Sequence, residues 1–227
     1  MNTFLNKKLF ILVIGHARSG TSLCAGLFSE SPEIKIGLEI NNLSLVRKRK
    51  KLAKNFPEEL TGNKICILSD LHYYRIIECV EKRREIMHDK WKELKVIFTN
   101  RNIVSSMISK KFREAGKGKL LNFDDIVMDY AICERKIIKL KKYFNDYFVF
   151  DFDKAISSWE YVGEMFEYVK VEYKRKYFTE FKNLKNYKYG VGVSPHFVQF
   201  GMPDKFKEER LKFEQLIRLH EPWLLNG

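Results

Sequence analysis

The sequence predicts an α/β fold, a three-layer sandwich with a central, mainly parallel sheet flanked by helices. Two observations carry that prediction. Apolar runs of strand length alternate along the chain with longer segments of helical period, the order that parallel strands joined by helical crossovers produce. The first run, Leu9 to Gly15, contains no polar residue, as expected of a strand buried on both faces of a parallel sheet. With 227 residues, 45% of them hydrophobic, the chain can bury a substantial core and is not disordered. No repeat or low-complexity linker divides it, so one domain spanning residues 1–227 is expected.

The elements follow in order. After the first strand, Thr21 to Ser29 reads as a short helix that Ser31 and Pro32 terminate. Ile34 to Gly37 fits a short strand and Leu43 to Phe56 a basic helix. Ile65 to Ser69 is the next apolar run, followed by a helix over Tyr74 to His88. Lys95 to Thr99 is the clearest later strand, and Ile103 to Phe112 the helix after it, with Asn102 as its N-cap. Phe123 to Phe144 keeps helical period over its whole length, with Asp124 and Asp125 early and lysines late, the order the helix dipole favours. Tyr147 to Phe152 reads as a strand, Ser157 to Tyr168 as a helix, and Phe206 to Leu219 as a final amphipathic helix.

The formal net charge is +13, which favours anionic partners without choosing among nucleic acid, headgroups and phosphorylated or sulfated small molecules. Cys24, Cys66, Cys79 and Cys133 form no C-x-x-C pair and have no local histidine partner, so a reduced, cytoplasmic chain without a metal site is expected. No segment approaches the roughly 20 apolar residues of a membrane span.

Residues 15–22 read G-H-A-R-S-G-T-S. Gly15, four residues, Gly20 and two hydroxyl residues reproduce the spacing of a phosphate-binding P-loop, with Thr21 in the lysine position. Placed between a buried strand and a helix, such a loop turns backbone N–H groups and a helix N-terminus toward an anion. Ser19, Thr21 and Ser22 add hydroxyls and Arg18 a fixed positive charge. Without the lysine, triphosphate chemistry is disfavoured, while a smaller phosphate-type group still fits.

The segment V-I-G-H-A-R-S-G-T-S-L resembles the 5′-phosphosulfate loop of sulfotransferases that use 3′-phosphoadenosine 5′-phosphosulfate (PAPS). A second segment, V-I-F-T-N-R-N-I-V-S-S-M-I-S, places Arg101 at a strand end and Ser109 eight residues on. This is similar to the pair that binds the 3′-phosphate of PAPS in that family. Arg101 and Ser109 can approach one anion only if the chain curls at Asn102 before the helix proper. The resemblance covers about residues 8–152 and implies a P-loop-like sulfotransferase architecture with Arg18, Ser19, Gly20, Thr21, Ser22, Arg101 and Ser109 binding PAPS. The nearest counterpart of the family's closing basic loop is Lys188 to Gly192.

The resemblance further implies in-line attack of an acceptor hydroxyl on the sulfuryl sulfur, with adenosine 3′,5′-bisphosphate leaving and no metal required. Arg18 then offsets charge in transfer, and a base must take the hydroxyl proton. Glu39, shortly after the first helix, and His72, after the third apolar run, are the candidates, with Asp70 a third. The acceptor is expected to be a carbohydrate or glycolipid. Two other readings stand beside this one: a P-loop nucleotide kinase, against which Thr21 and the Arg101/Ser109 spacing speak, and a basic nucleic-acid-binding protein using Arg47 to Lys51. Five consecutive bases wrap around a helix instead of forming one stripe, so nucleic acid is not expected as a partner.

Overall fold

A computed structural model describes residues 9–32, 34, 62–70, 72–87, 93–174 and 206–226. Four strands form one sheet: β1 (Leu9–His16), β2 (Gly62–Ile67), β3 (Glu93–Asn100) and β4 (Tyr147–Asp151). Their order across the sheet is β2-β1-β3-β4, and every pairing is parallel. The helices are α1 (Thr21–Ser29), α2 (Tyr73–Met87), α3 (Ile103–Ala115), α4 (Phe123–Tyr143), α5 (Phe152–Ala155), α6 (Trp159–Tyr168) and α7 (Lys207–His220), with a 3-10 turn at Pro222–Leu225.

Strand β1 alternates its apolar side chains between two cores, which is why its sequence shows no polar face. Ile11 and Val13 pack with Leu23, Leu27 and Phe28 of α1 and Val162, Met165 and Phe166 of α6. Phe10, Leu12 and Ile14 pack on the opposite side with Ile76 and Val80 of α2 and Cys133, Ile137 and Leu140 of α4. A third cluster joins Val104, Met107 and Ile108 of α3 to Ile126, Val127 and Tyr130 of α4 and Phe213 and Ile217 of α7. Helix α4 therefore touches the sheet with its second half and carries α3 and α7 on its first. Glu221 ties the chain end to α4, accepting from Arg135 Nη2 at 2.6 Å and from Trp223 Nε1 at 2.6 Å.

Apart from the strand expected to begin at Ile34, the predicted strands and helices that fall on described residues are present, most within two residues of their expected ends. Asn102 caps α3, its side chain accepting from Ser105 N at 3.0 Å. The strand expected to run through Phe152 ends one residue earlier. Asp151 accepts from Lys154 N at 2.9 Å and starts the single turn of α5, which directs Phe152 beneath the loop that follows β1. Ile34 is described and is not in a strand. The remainder of that expected strand, the basic helix over 43–56 and the loop at 188–192 lie outside the described residues.

Because β2 and β3 flank β1 on opposite sides, the connections leaving β1 and β3 diverge at the carboxyl edge of the sheet. Parallel α/β sheets bind ligands at such a switch point. Cys24, Cys66 and Cys133 are buried thiols. No helix among the described residues is long and apolar enough to cross a membrane.

The sheet's α1/α6 side is held by aromatic packing, with Phe28 and Phe166 ring centroids 5.0 Å apart and both side chains fully buried. Phe166→Ala is expected to lower the unfolding free energy by about 3–5 kcal/mol, measured by denaturant titration.

Candidate functional site: an anion loop at the carboxyl edge of the sheet

The chain passes from β1 to α1 through a turn with little freedom. A Cβ on Gly15 would lie 1.9 Å from Thr99 Oγ1 and 2.4 Å from Ser19 Oγ, so only glycine fits where the loop folds back over β3. Gly20 has φ +99°, and a Cβ there would meet Phe152 Cδ2 at 2.8 Å. Arg18, with φ 68°, lies in the left-handed region that non-glycine residues enter at a cost of about 1–2 kcal/mol. Bonds from two other elements hold it. Its carbonyl accepts from Arg101 Nη1 at 3.3 Å and Ser106 Oγ at 3.4 Å, and its Nε donates to Ser109 Oγ at 2.9 Å.

The hydroxyl residues divide into two roles. Ser19 is fully buried; its hydroxyl donates to His16 O at 2.8 Å and sits against Thr99, while its N–H also reaches His16 O. It shapes the turn from within. Thr21 and Ser22 stand in the first turn of α1, whose N–H groups have no intrahelical acceptor. That turn has no side-chain cap and no acidic residue, so the positive end of the helix dipole is not offset within it.

The second motif meets the first in space. Arg101 leaves the end of β3, is 7% exposed, and stacks its guanidinium 4.2 Å from the centre of the Phe152 ring. The chain curls at Asn102, and α3 then presents Ser106 and Ser109 to the loop. Burial draws the Arg101 pKa down to about 10, the nearby Asp153 opposing and the like charge of Arg18 adding to the effect. Burial and then Arg113 lower that of Arg18. Both remain cationic at neutral pH, so two guanidinium groups, that of Arg101 buried and that of Arg18 half-buried, lie at one edge of the sheet, where they favour negative charge.

Of the candidate bases, Glu39 lies outside the described residues. Asp70 is exposed in the turn after β2, and His72 is exposed with its ring stacked 5.3 Å from that of Tyr74. Ile67 pairs with His16, so this turn and the anion loop leave neighbouring strands at the same edge. His72 lines a cleft of about 340 Å³ with Tyr73, Tyr74, Arg135, Lys136 and Lys139. Among the described residues no group of His, Cys, Asp and Glu is arranged to hold a metal ion.

Three positioning residues carry no sequence signal. Tyr130, one apolar-phase position of α4 among many, places its hydroxyl 2.7 Å from Ala17 O and 2.9 Å from Ser106 O, joining the loop to α3. Thr99, the last inward residue of β3, lies under the loop. Glu134 approaches His16, with Oε1 3.2 Å from Nε2.

A strand, a glycine-hinged loop and an uncapped helix N-terminus, faced by a second arginine from the adjacent strand, define a P-loop-like α/β protein. Solved structures place it more closely. The sulfotransferase domain of the Synechococcus PCC 7002 olefin synthase matches with a TM-score of 0.56 at 10% identity, covering 96% of this chain and 97% of that one. Mouse sulfotransferase SULT7A1 complexed with PAP matches with a TM-score of 0.57 at 11% identity, covering 96% and 87%. The chain has the sulfotransferase fold. No family model and no curated protein matches it in sequence.

Gly20 and Gly118 both have positive φ, +99° and +76°, but only Gly20 is crowded, since nothing lies within 4 Å of a Cβ on Gly118. Gly118→Ala is expected to cost about 1 kcal/mol of stability, and Gly20→Ala about 2 kcal/mol or more, with loss of anion binding in the latter only. Parallel denaturant titrations and bisphosphate titrations of the two variants measure both differences.

Proposed function

We propose that this chain is a PAPS-dependent sulfotransferase that moves a sulfuryl group to an acceptor hydroxyl. The observation that carries the reading is the convergence of Arg18, Arg101 and Ser109. The last two come from a motif more than 80 residues from the first, yet Arg18 is bonded to both. Two glycines whose Cβ positions are filled by Thr99, Ser19 and Phe152 let the loop pack closely on β3 and α5, and the donors around it are cationic or neutral, as a doubly phosphorylated nucleotide requires.

PAPS supplies the activated sulfuryl group, and adenosine 3′,5′-bisphosphate departs. The first turn of α1, with Gly20, Thr21 and Ser22, receives the 5′-phosphosulfate end. Arg18 offsets the charge that grows on the leaving oxygen, and Arg101 with Ser109 holds the 3′-phosphate. Ser19 contributes by keeping the turn in shape. Glu39, His72 or Asp70 takes the hydroxyl proton. A carbohydrate or glycolipid hydroxyl is the acceptor class. The chemistry requires no metal, and a cytoplasmic setting fits the buried thiols.

Adenosine 3′,5′-bisphosphate at about a hundred times its Kd is expected to stabilise the protein by about 2.7 kcal/mol without Mg²⁺. For a chain of this size that raises the melting temperature by about 5–10 °C. Arg101→Ala should abolish the shift. Stabilisation by ATP with Mg²⁺ and none by the bisphosphate would overturn the reading in favour of a kinase. With labelled PAPS and an acceptor identified by screening, replacement of the true base among Glu39, Asp70 and His72 should lower kcat by about 10²–10⁴ and leave bisphosphate affinity unchanged.

A further inference from the structure

Beneath the anion loop lies a pair that the proposed reaction does not use. His16 closes β1 and is 2% exposed. Its Nδ1 is 2.9 Å from Ala17 O, and its Nε2 is 3.2 Å from Glu134 Oε1 of α4. A carbonyl oxygen only accepts, so Nδ1 carries a proton. In a neutral ring Nε2 is then an acceptor, and an ionised carboxylate opposite it offers no donor. The contact is attractive only when one further proton lies between Nε2 and Oε1.

We propose that His16 and Glu134 form a one-proton couple that positions the anion loop, so that nucleotide binding weakens when that proton leaves. With the proton in place, the imidazole is clamped between Glu134 and Ala17 O. The Tyr130 hydroxyl reaches the same carbonyl from the other side, and its ring meets the His16 ring edge-on at 4.9 Å. The peptide entering the left-handed Arg18 is thereby held. Without the proton, two lone pairs face each other, the ring loses one of its two anchors, and a carboxylate charge appears under a loop that receives phosphate. The inference rests on the reading of that loop as the nucleotide site.

The surroundings put the titration in the working range. Burial pushes the Glu134 carboxyl up to about 7 against the pull of Lys141, and burial holds His16 down to about 4, with Arg101 and Lys110 facing it and adding to the effect. The couple's proton therefore resides on Glu134 and is lost as pH rises through about 7. Arg101 titrates at about 10 and Cys133 at about 12, and burial raises Tyr130 well above its usual value.

Glu134→Gln keeps the shape and supplies a permanent N–H donor to Nε2. Calorimetric titration of adenosine 3′,5′-bisphosphate at about pH 6 and about pH 8 tests the couple. The ligand's own phosphate titrates near about 6, so the readout is the ratio of the two proteins' Kd values at each pH, from which that ionisation cancels. The expected result is equal affinity at the lower pH and about fivefold weaker binding by the unsubstituted protein at the higher one. A ratio that does not change with pH overturns the proposal. If neither folded protein binds at either pH, the nucleotide reading of the loop fails and takes the couple's role with it. Should the variant not fold, ¹⁵N spectra of the His16 ring in the unsubstituted protein decide. A neutral Nδ1–H tautomer whose Nε2 shift steps near pH 7 supports the couple, and a ring whose shifts do not move there overturns it.

Discussion

The peptide unit joining Ala17 to Arg18 is the point on which the site depends. Arg18 occupies a backbone region that costs a side-chain-bearing residue free energy, and it stays there because four donors from different parts of the fold converge on two consecutive carbonyls. His16 of β1 and Tyr130 of α4 reach Ala17 O, while Arg101 beyond β3 and Ser106 of α3 reach Arg18 O. Each bond alone contributes about 1 kcal/mol net. Together they exceed the local strain and fix the direction of the Arg18 side chain toward Ser109. A looser turn could hold the same residues without aiming them, and aim is what separates charge neutralisation of a transferring group from a generic basic surface.

The same bonds make the two nucleotide motifs one structural unit. Arg101 is packed on Phe152 and bonded to the loop, so on the proposed reading the group that would hold one end of the nucleotide also supports the loop that would hold the other. Phe152 can do this because Asp151 ends β4 and turns the chain into α5. The same ring closes the space beside Gly20 and excludes any larger residue there. Burial of the Arg101 guanidinium beside the half-buried Arg18 is costly in isolation, a cost of the kind that binding sites carry.

Only a few of the positive charges in the +13 excess belong to this arrangement. Others serve structure: Lys136 donates to the carbonyls of Leu68 and Ser69 and pins the turn after β2, and Lys110 pairs with Asp129 at 2.9 Å. A basic composition therefore contains several unrelated physical roles, and composition alone does not separate them.

Sequence by itself determined the parallel sheet, the glycine hinge and most secondary elements of the described chain, but not the absence of a strand at Ile34 or the helical turn at Phe152–Ala155. These are legible because they are local: burial on two faces demands unbroken apolar strands, helices carry a 3.6-residue period, and a crowded turn position with positive φ favours glycine. Asn102 was readable as a cap for the same reason. Tertiary structure alone decided that Ser19 faces inward, that Tyr130 bridges loop and helix, that Phe152 lies under Arg101, and that Glu134 meets His16 across 118 residues of chain. Nothing in the spacing of such residues marks them, since a tyrosine or glutamate in a helix serves packing and solvation equally well. Their roles arise only when packing of α4 against the sheet sets which atoms are within reach and which protons burial retains.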